Sequence, residues 1–241
     1  YGGSARDLVL GLRIVNGRGE LLRFGGEVIK NVAGYDVSRL MIGAQGTLGV
    51  ILEASIKVLP QLELETTRVL HIAPDKVIPH MDRLGDAPHP ISGMAYIDRQ
   101  LYIRLSGTRA GVAAASHDVG GEELSDDGAW WQSLANHSAP FFEGDAPLWR
   151  IALPAGTPPL SLNGQWFLDW AGTQRWFKSH AAGTTIRAAA TEHGGHAVCY
   201  RGPAAERGES PPPALMAVHQ RLKLAFDPKR ILNPGRLHPD L

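Results

Sequence analysis

Three glycines spaced every third residue, Gly43, Gly46 and Gly49, with Thr47 between the last two, run directly into a strand-like stretch from Val50 to Val58. A glycine has no Cβ, so backbone there can lie against a flat or anionic ligand and turn its N–H groups toward it. The spacing equally suits a tight strand–turn–strand junction whose turns need positive φ. It is not the dinucleotide pattern GxGxxG, and the chain holds no GxxxxGK[ST] phosphate loop. Neither common nucleotide fingerprint accounts for the segment.

Around it the chain reads as short strands and helices. Leu8–Asn16 and Glu20–Phe24 flank Asn16-Gly17-Arg18-Gly19, which predicts a β-hairpin. Residues 25–31 read as a loop, Tyr35–Met41 as a short helix with Asp36 near its positive end, and 50–58 as a strand stopped by Pro60. The texture changes after Pro60, so a domain boundary is expected there. Beyond it, strands are predicted over 65–72, 91–97, 101–105, 148–153, 165–170, 174–177 and 196–200, with Trp166, Trp170 and Trp176 sharing a half-buried sheet. Helices are expected over 75–84, 108–119, 130–137, 180–193 (closed by Gly194-Gly195) and 214–226. The stretch 202–213, GPAAERGESPPP, reads as a mobile linker. Strands paired with near neighbours, interspersed with helices, make the fold class α+β rather than doubly wound parallel.

The string from Gly34 to Ile51 resembles the glycine-rich second half of the FAD-binding domain in vanillyl-alcohol-oxidase-type flavoproteins, the PCMH-type fold. It carries Gly34, Tyr35, Asp36, Leu40, Gly43, Gly46, Thr47, Leu48, Gly49, Val50 and Ile51 of that family's pattern, and departs at Gln45, where the family usually has Glu. The tail Phe226-Asp227-Pro228 to Leu232-Asn233-Pro234-Gly235-Arg236 is similar to the same family's ending, although Asp-Pro and Asn-Pro-Gly are also ordinary turn formers. The likeness is closest to the FAD-binding E-type subunits of bacterial glycolate oxidase. It implies FAD as cofactor, bound through Gly34, Tyr35, Asp36, Gly43, Gln45, Gly46, Thr47, Leu48, Gly49, Val50, Ile51 and Asn233. It further implies three parts: 1–60 as the later part of the FAD-binding domain, 61–213 as an α+β cap of antiparallel sheet and helices, and 214–241 as a tail returning to the flavin. The chain opens at Tyr1 on the way into a strand, so the resemblance implies that a first FAD subdomain of about 100 residues is missing.

Composition is that of an ordinary globular protein. The chain has 241 residues, 44% hydrophobic and 20% charged, with a formal net charge of zero. No bulk charge argues for nucleic acid, and no apolar run approaches the ~20 residues of a membrane span. The single cysteine, Cys199, reads as a small buried apolar residue. No GxSxG, CxxC or HExxH occurs. His193 and His196 straddle a double glycine and read as a helix-end residue and a strand residue, not metal ligands. Glu122, Glu123, Asp126 and Asp127 read as an acidic surface loop, and Arg236 as a partner for a carboxylate, a flavin oxygen or a salt bridge.

The catalytic base is unassigned. The leading expectation is an FAD-binding subunit of a glycolate (2-hydroxy acid) oxidase, cytoplasmic or held at the inner membrane through its partners, a D-type flavin subunit and an iron–sulfur subunit. Alternatives are a self-sufficient FAD-linked 2-hydroxy-acid dehydrogenase, a non-catalytic structural subunit, and a binder of another nucleotide, the last weakened by the missing phosphate loop.

Overall fold

The computed structural model describes residues 4–26, 35–203, 206 and 211–241. Gly34, most of the loop expected over 25–31 and much of the expected linker lie outside them. The chain forms two compact units, residues 61–207 and residues 2–60 with 208–241. Every strand pairing described is antiparallel.

In the discontinuous unit, a four-residue helix α1 (Ala5–Leu8) leads into β1 (Val9–Val15), which pairs with β2 (Leu21–Gly25). The turn is organised by Asn16, whose Oδ1 accepts from the N–H groups of Arg18 and Glu20 at 2.9 and 3.0 Å. Helix α2 (Val37–Met41) starts on Asp36, whose carboxylate accepts from the Arg39 N–H at 3.0 Å. That is an N-cap in place of the expected first helical turn. Strand β3 (Val50–Ile56) ends two residues short of the expected Val58 and completes the order β2-β1-β3. The alternating inward residues Val9, Leu12 and Ile14 pack with Met41, Ala44 and Leu48, and Phe226 joins them from the far end of the chain.

The continuous unit is built on one sheet of order β11-β8-β10-β9-β5-β6-β4-β7. Its strands are β4 (Leu64–His71), β5 (Ile91–Ile97), β6 (Gln100–Gly107), β7 (Glu122–Glu123), β8 (Leu148–Ala152), β9 (Gln165–Asp169), β10 (Gln174–Lys178) and β11 (His196–Arg201). The helices are α3 (Val77–Gly85), α4 (Arg109–Val119), α5 (Asp127–Ala135) and α6 (Gly183–Glu192), with α7 (Pro213–Phe226) in the other unit. The β5–β6 turn puts Asp98 and Arg99 at φ 50° and 63°, the two left-handed residues a tight hairpin turn demands.

Side chains alternate across the sheet. On one face Met94, Tyr96 and Leu168 pack with α3 and α4, while Trp149, Ile151 and Phe177 pack with α6 and the buried Cys199. On the other, Ala95, Leu148, Phe167 and Trp176 meet Phe141, Phe142 and α5.

Several expectations need correction. Trp166 and Trp176 lie on opposite faces, and Trp170, 51% exposed, stands outside the strands in a turn with φ 49°. Glu122 and Glu123 are not loop. They form the edge strand β7 against β4, where Glu123 Oε2 lies 3.8 Å from Arg68. Asp126 caps α5 and Asp127 accepts from Thr67. The helix expected from His180 starts at Gly183.

Candidate functional site

The glycine segment and the C-terminal tail meet inside the discontinuous unit, at Lys223. This lysine is 2% exposed, and its ammonium donates to the carbonyls of Thr47 (2.8 Å) and Leu232 (2.6 Å) and to Asp227 Oδ2 (2.8 Å). Asp227, fully buried, spends its remaining oxygen capacity on the N–H groups of Ile231 (3.1 Å) and Leu232 (2.8 Å). Burial alone would raise the Asp227 pKa. The hydrogen bonds from Lys223, Leu232 and Ile231 outweigh it and hold the carboxyl below the usual range. A buried ion pair whose hydrogen-bonding capacity is filled by backbone in this way fixes geometry. Here it fixes residues 47, 227 and 232 together.

Gly17 makes the approach possible. Its N–H donates to the Phe226 carbonyl at 2.9 Å, and a Cβ on it would collide with Asp227.

A second joint lies beside the first. Asn233 Nδ2 donates to the Gln45 carbonyl at 2.7 Å, and Arg236 Nε to Gln45 Oε1 at 3.2 Å. Both Gln45 (φ 52°) and Asn233 (φ 39°) are left-handed non-glycine residues. Each costs about 1 kcal/mol or more, which surrounding bonds must over-determine. The Arg236 guanidinium therefore helps hold the segment in shape, and has no ion pair among the described residues.

The glycines divide by what lies beyond them. Gly46 (φ 75°) could carry no Cβ without bringing it to 2.7 Å from Asn233 Nδ2, and a Cβ on Gly49 would press Ile14 and the Val15 carbonyl at 3.1 Å. Gly43 (φ 87°) faces open space. Two of the three glycines are thus required by the protein's own packing, and one leaves room for something else. Gly46→Ala should cost roughly 1–2 kcal/mol through its φ alone, read as a lower urea midpoint.

The remaining expected cofactor residues also sort themselves. Thr47 is buried, with its hydroxyl on the Ala44 carbonyl at 2.7 Å, and Leu48 belongs to the core. Tyr35 is 97% exposed, while Val50 and Ile51 are about half exposed on β3. Gly34 lies outside the described residues. His193 closes α6, its Nδ1 3.0 Å from the Ala189 carbonyl, and His196 opens β11. Among the described residues no three His, Cys, Asp or Glu side chains cluster as metal ligands do.

The sequence pattern marks Asp227 as a turn former and Gly17 as part of the hairpin turn, and gives Lys223 no role. The Lys-xxx-Asp spacing over the last turn of α7 was the available signal.

These joints fall in segments shared with known proteins. Residues 173–237 match the family profile described as FAD linked oxidases, C-terminal domain. Over its whole length the chain is 44% identical to glycolate oxidase subunit GlcE of Escherichia coli (strain K12), of which it covers 68%. The chain belongs to the GlcE family of glycolate oxidase subunits. A shorter likeness, 46% identity over 65 residues, links 27% of the chain to 14% of glycolate oxidase subunit GlcD of Bacillus subtilis (strain 168). In fold, it is similar to 4-ethylphenol oxidase from Gulosibacter chungangensis in its isoeugenol complex. There the TM-score is 0.63 at 15% identity, covering 97% of this chain and 66% of that one. The family is FAD-linked. Among the described residues no helix is long and apolar enough to cross a membrane.

Proposed function

We propose that this chain is the part of a GlcE-type subunit that holds the later half of an FAD site in a glycolate (2-hydroxy acid) oxidase. The observation that carries the reading is the Lys223–Asp227 joint, which brings the glycine segment and the NPGR tail to one place. The surfaces left over there suit a large, flat, partly apolar ligand. Gly43 presents backbone with open space above it, and Tyr35, Val50 and Ile51 present uncovered apolar area. Asp36, spent on its helix cap, would bear on the ligand only through α2.

Bound FAD would supply the two-electron oxidation chemistry. The protein's own work is to bind and orient it: Gln45 and Asn233 hold a strained backbone turn ready, and Lys223 keeps that turn on the tail. In this reading the subunit works with a D-type flavin subunit and an iron–sulfur subunit, and reaches the inner membrane only through such partners.

Tyr35 provides the test, because its ring is almost entirely exposed and its loss removes no core contact. In the full-length protein Tyr35→Ser should leave the thermal midpoint unchanged and weaken FAD affinity roughly tenfold, the scale of one covered aromatic ring. Flavin titration with calorimetry on the same samples decides it. Unaltered FAD affinity would remove Tyr35 from the site; a full-length protein that takes up no FAD, alone or with partner subunits, would sink the reading.

A further inference from the structure

In the continuous unit, polar groups left without protein partners gather around one tryptophan. Trp176 on β10 stands directly opposite Arg150 on β8, which in turn stands opposite Val198 on β11, so all three share the sheet face away from α6. The pairing of β11 with β8 slips between Cys199 and Arg201. The slip brings Arg201 opposite Leu148. Tyr200, two residues on from Val198, falls on the same face by the alternation of a strand, its ring 5.1 Å from that of Trp176, and it remains 53% exposed.

His137 closes the group. It follows α5 at φ 54°, a left-handed position where glycine is the usual residue. Its ring stacks on Phe142 at 4.3 Å and meets Trp176 at 4.6 Å and Tyr200 at 5.1 Å, edge to face. Arg201 anchors the 140–142 turn beside it through the Phe142 carbonyl. Burial first, and then the Arg201 charge, lower the His137 pKa, so the imidazole is neutral at pH 7 and can donate or accept.

The arginines of this sheet make the contrast. Arg68, Arg104, Arg175 and Arg201 each bond to a protein partner. Arg150 is exposed and has no bond, ion pair or ring contact to any described residue. Nor do the Tyr200 hydroxyl and the His137 ring nitrogens have a hydrogen-bond partner among them. A guanidinium, a phenol and a neutral imidazole above a buried indole form a site for a small planar anion with one more polar group.

We propose that Arg150, Tyr200 and His137 bind a small 2-hydroxy carboxylate against Trp176. The guanidinium takes the carboxylate in a two-point contact, while the phenol and the imidazole take the hydroxyl. The choice of a 2-hydroxy acid rests on the glycolate oxidase reading above; the carboxylate follows from Arg150 itself.

Isothermal titration of the full-length protein with glycolate tests this without requiring flavin. Arg150→Met should weaken binding roughly tenfold or more, Arg150→Lys should restore part of it, and Tyr200→Phe should weaken it about threefold, as charge-assisted and neutral hydrogen bonds differ. Glycolate binding unaffected by Arg150→Met, or no binding by the unsubstituted protein, overturns the proposal. Flavin content read on the same samples keeps the two ideas apart: an unsubstituted protein that binds glycolate but takes up no FAD counts against the cofactor reading alone.

Discussion

Asp227→Ala should destabilise the discontinuous unit by about 3–5 kcal/mol, lowering its melting temperature by on the order of 10 °C in calorimetry of the full-length protein. The substitution leaves the Lys223 ammonium buried beside two carbonyls with no counter-charge, and frees the N–H groups of Ile231 and Leu232. Asp227→Asn keeps the shape and removes the charge, so most of the loss should persist. A loss below 1 kcal/mol for both variants would show that water replaces the carboxylate at no cost. The pair also sets an acid limb. The folded-state pKa of Asp227 lies below the ordinary carboxylate value of about 4, so its contribution is complete above that pH. It then drains away as pH falls through the folded value, because the unfolded chain accepts a proton that the folded one refuses. Asp227→Asn should lack that limb of the stability profile.

The second large effect belongs to Arg175 in the continuous unit. Its side chain is 1% exposed and donates to the carbonyls of Gly172 (3.0 Å), Pro158 (2.8 Å) and Thr157. Burial pulls its pKa down to about 10, which still leaves it charged at neutral pH. The rigid fork of a guanidinium ties the 157–158 loop to the turn before β10, work a lysine's point charge cannot copy. Arg175→Met fills the space but orphans two buried carbonyls, at about 1–3 kcal/mol each, and the part-buried one of Pro158. We expect a net loss of roughly 3–5 kcal/mol in urea unfolding of this unit, with new protease cleavage near residue 157. A variant with an unchanged midpoint and unchanged cleavage would mean that those carbonyls find water.

Local features of the fold were legible in the sequence. The Asn16–Gly19 turn, the 91–105 hairpin and the glycine stop after α6 follow from residues within a few positions of one another. Their periodicity and turn chemistry therefore carry the information. Lys223 and Arg175 escaped because burial of a charged residue is decided by distant carbonyls, those of Thr47 and of Pro158, which no local pattern marks. The order of the eight-stranded sheet escaped for the same reason: β8 sits between β11 and β10, strands that reach it from later in the chain. The cofactor residues were named from a resemblance. The structure gives several of them a second employment: Gly46, Thr47 and Leu48 are needed for packing whether or not a ligand lies beyond them.

The division of the smaller unit between residues 2–60 and 208–241 has a kinetic side. On the ribosome, β1, β2 and β3 emerge long before α7, yet Phe226 belongs to their core and Lys223 bonds to Thr47 across 176 positions. The continuous unit is synthesised whole in the interval and can fold on its own contacts before α7 exists to complete the other core. Until that happens the core of Leu12, Ile14, Met41 and Leu48 lacks Phe226, beside a β3 edge whose Val50, Ile51, Leu52 and Ile56 stay exposed even in the folded chain. Slowing translation ahead of residue 208, or supplying a chaperone during that window, should therefore govern the yield of soluble protein more than any change in final stability.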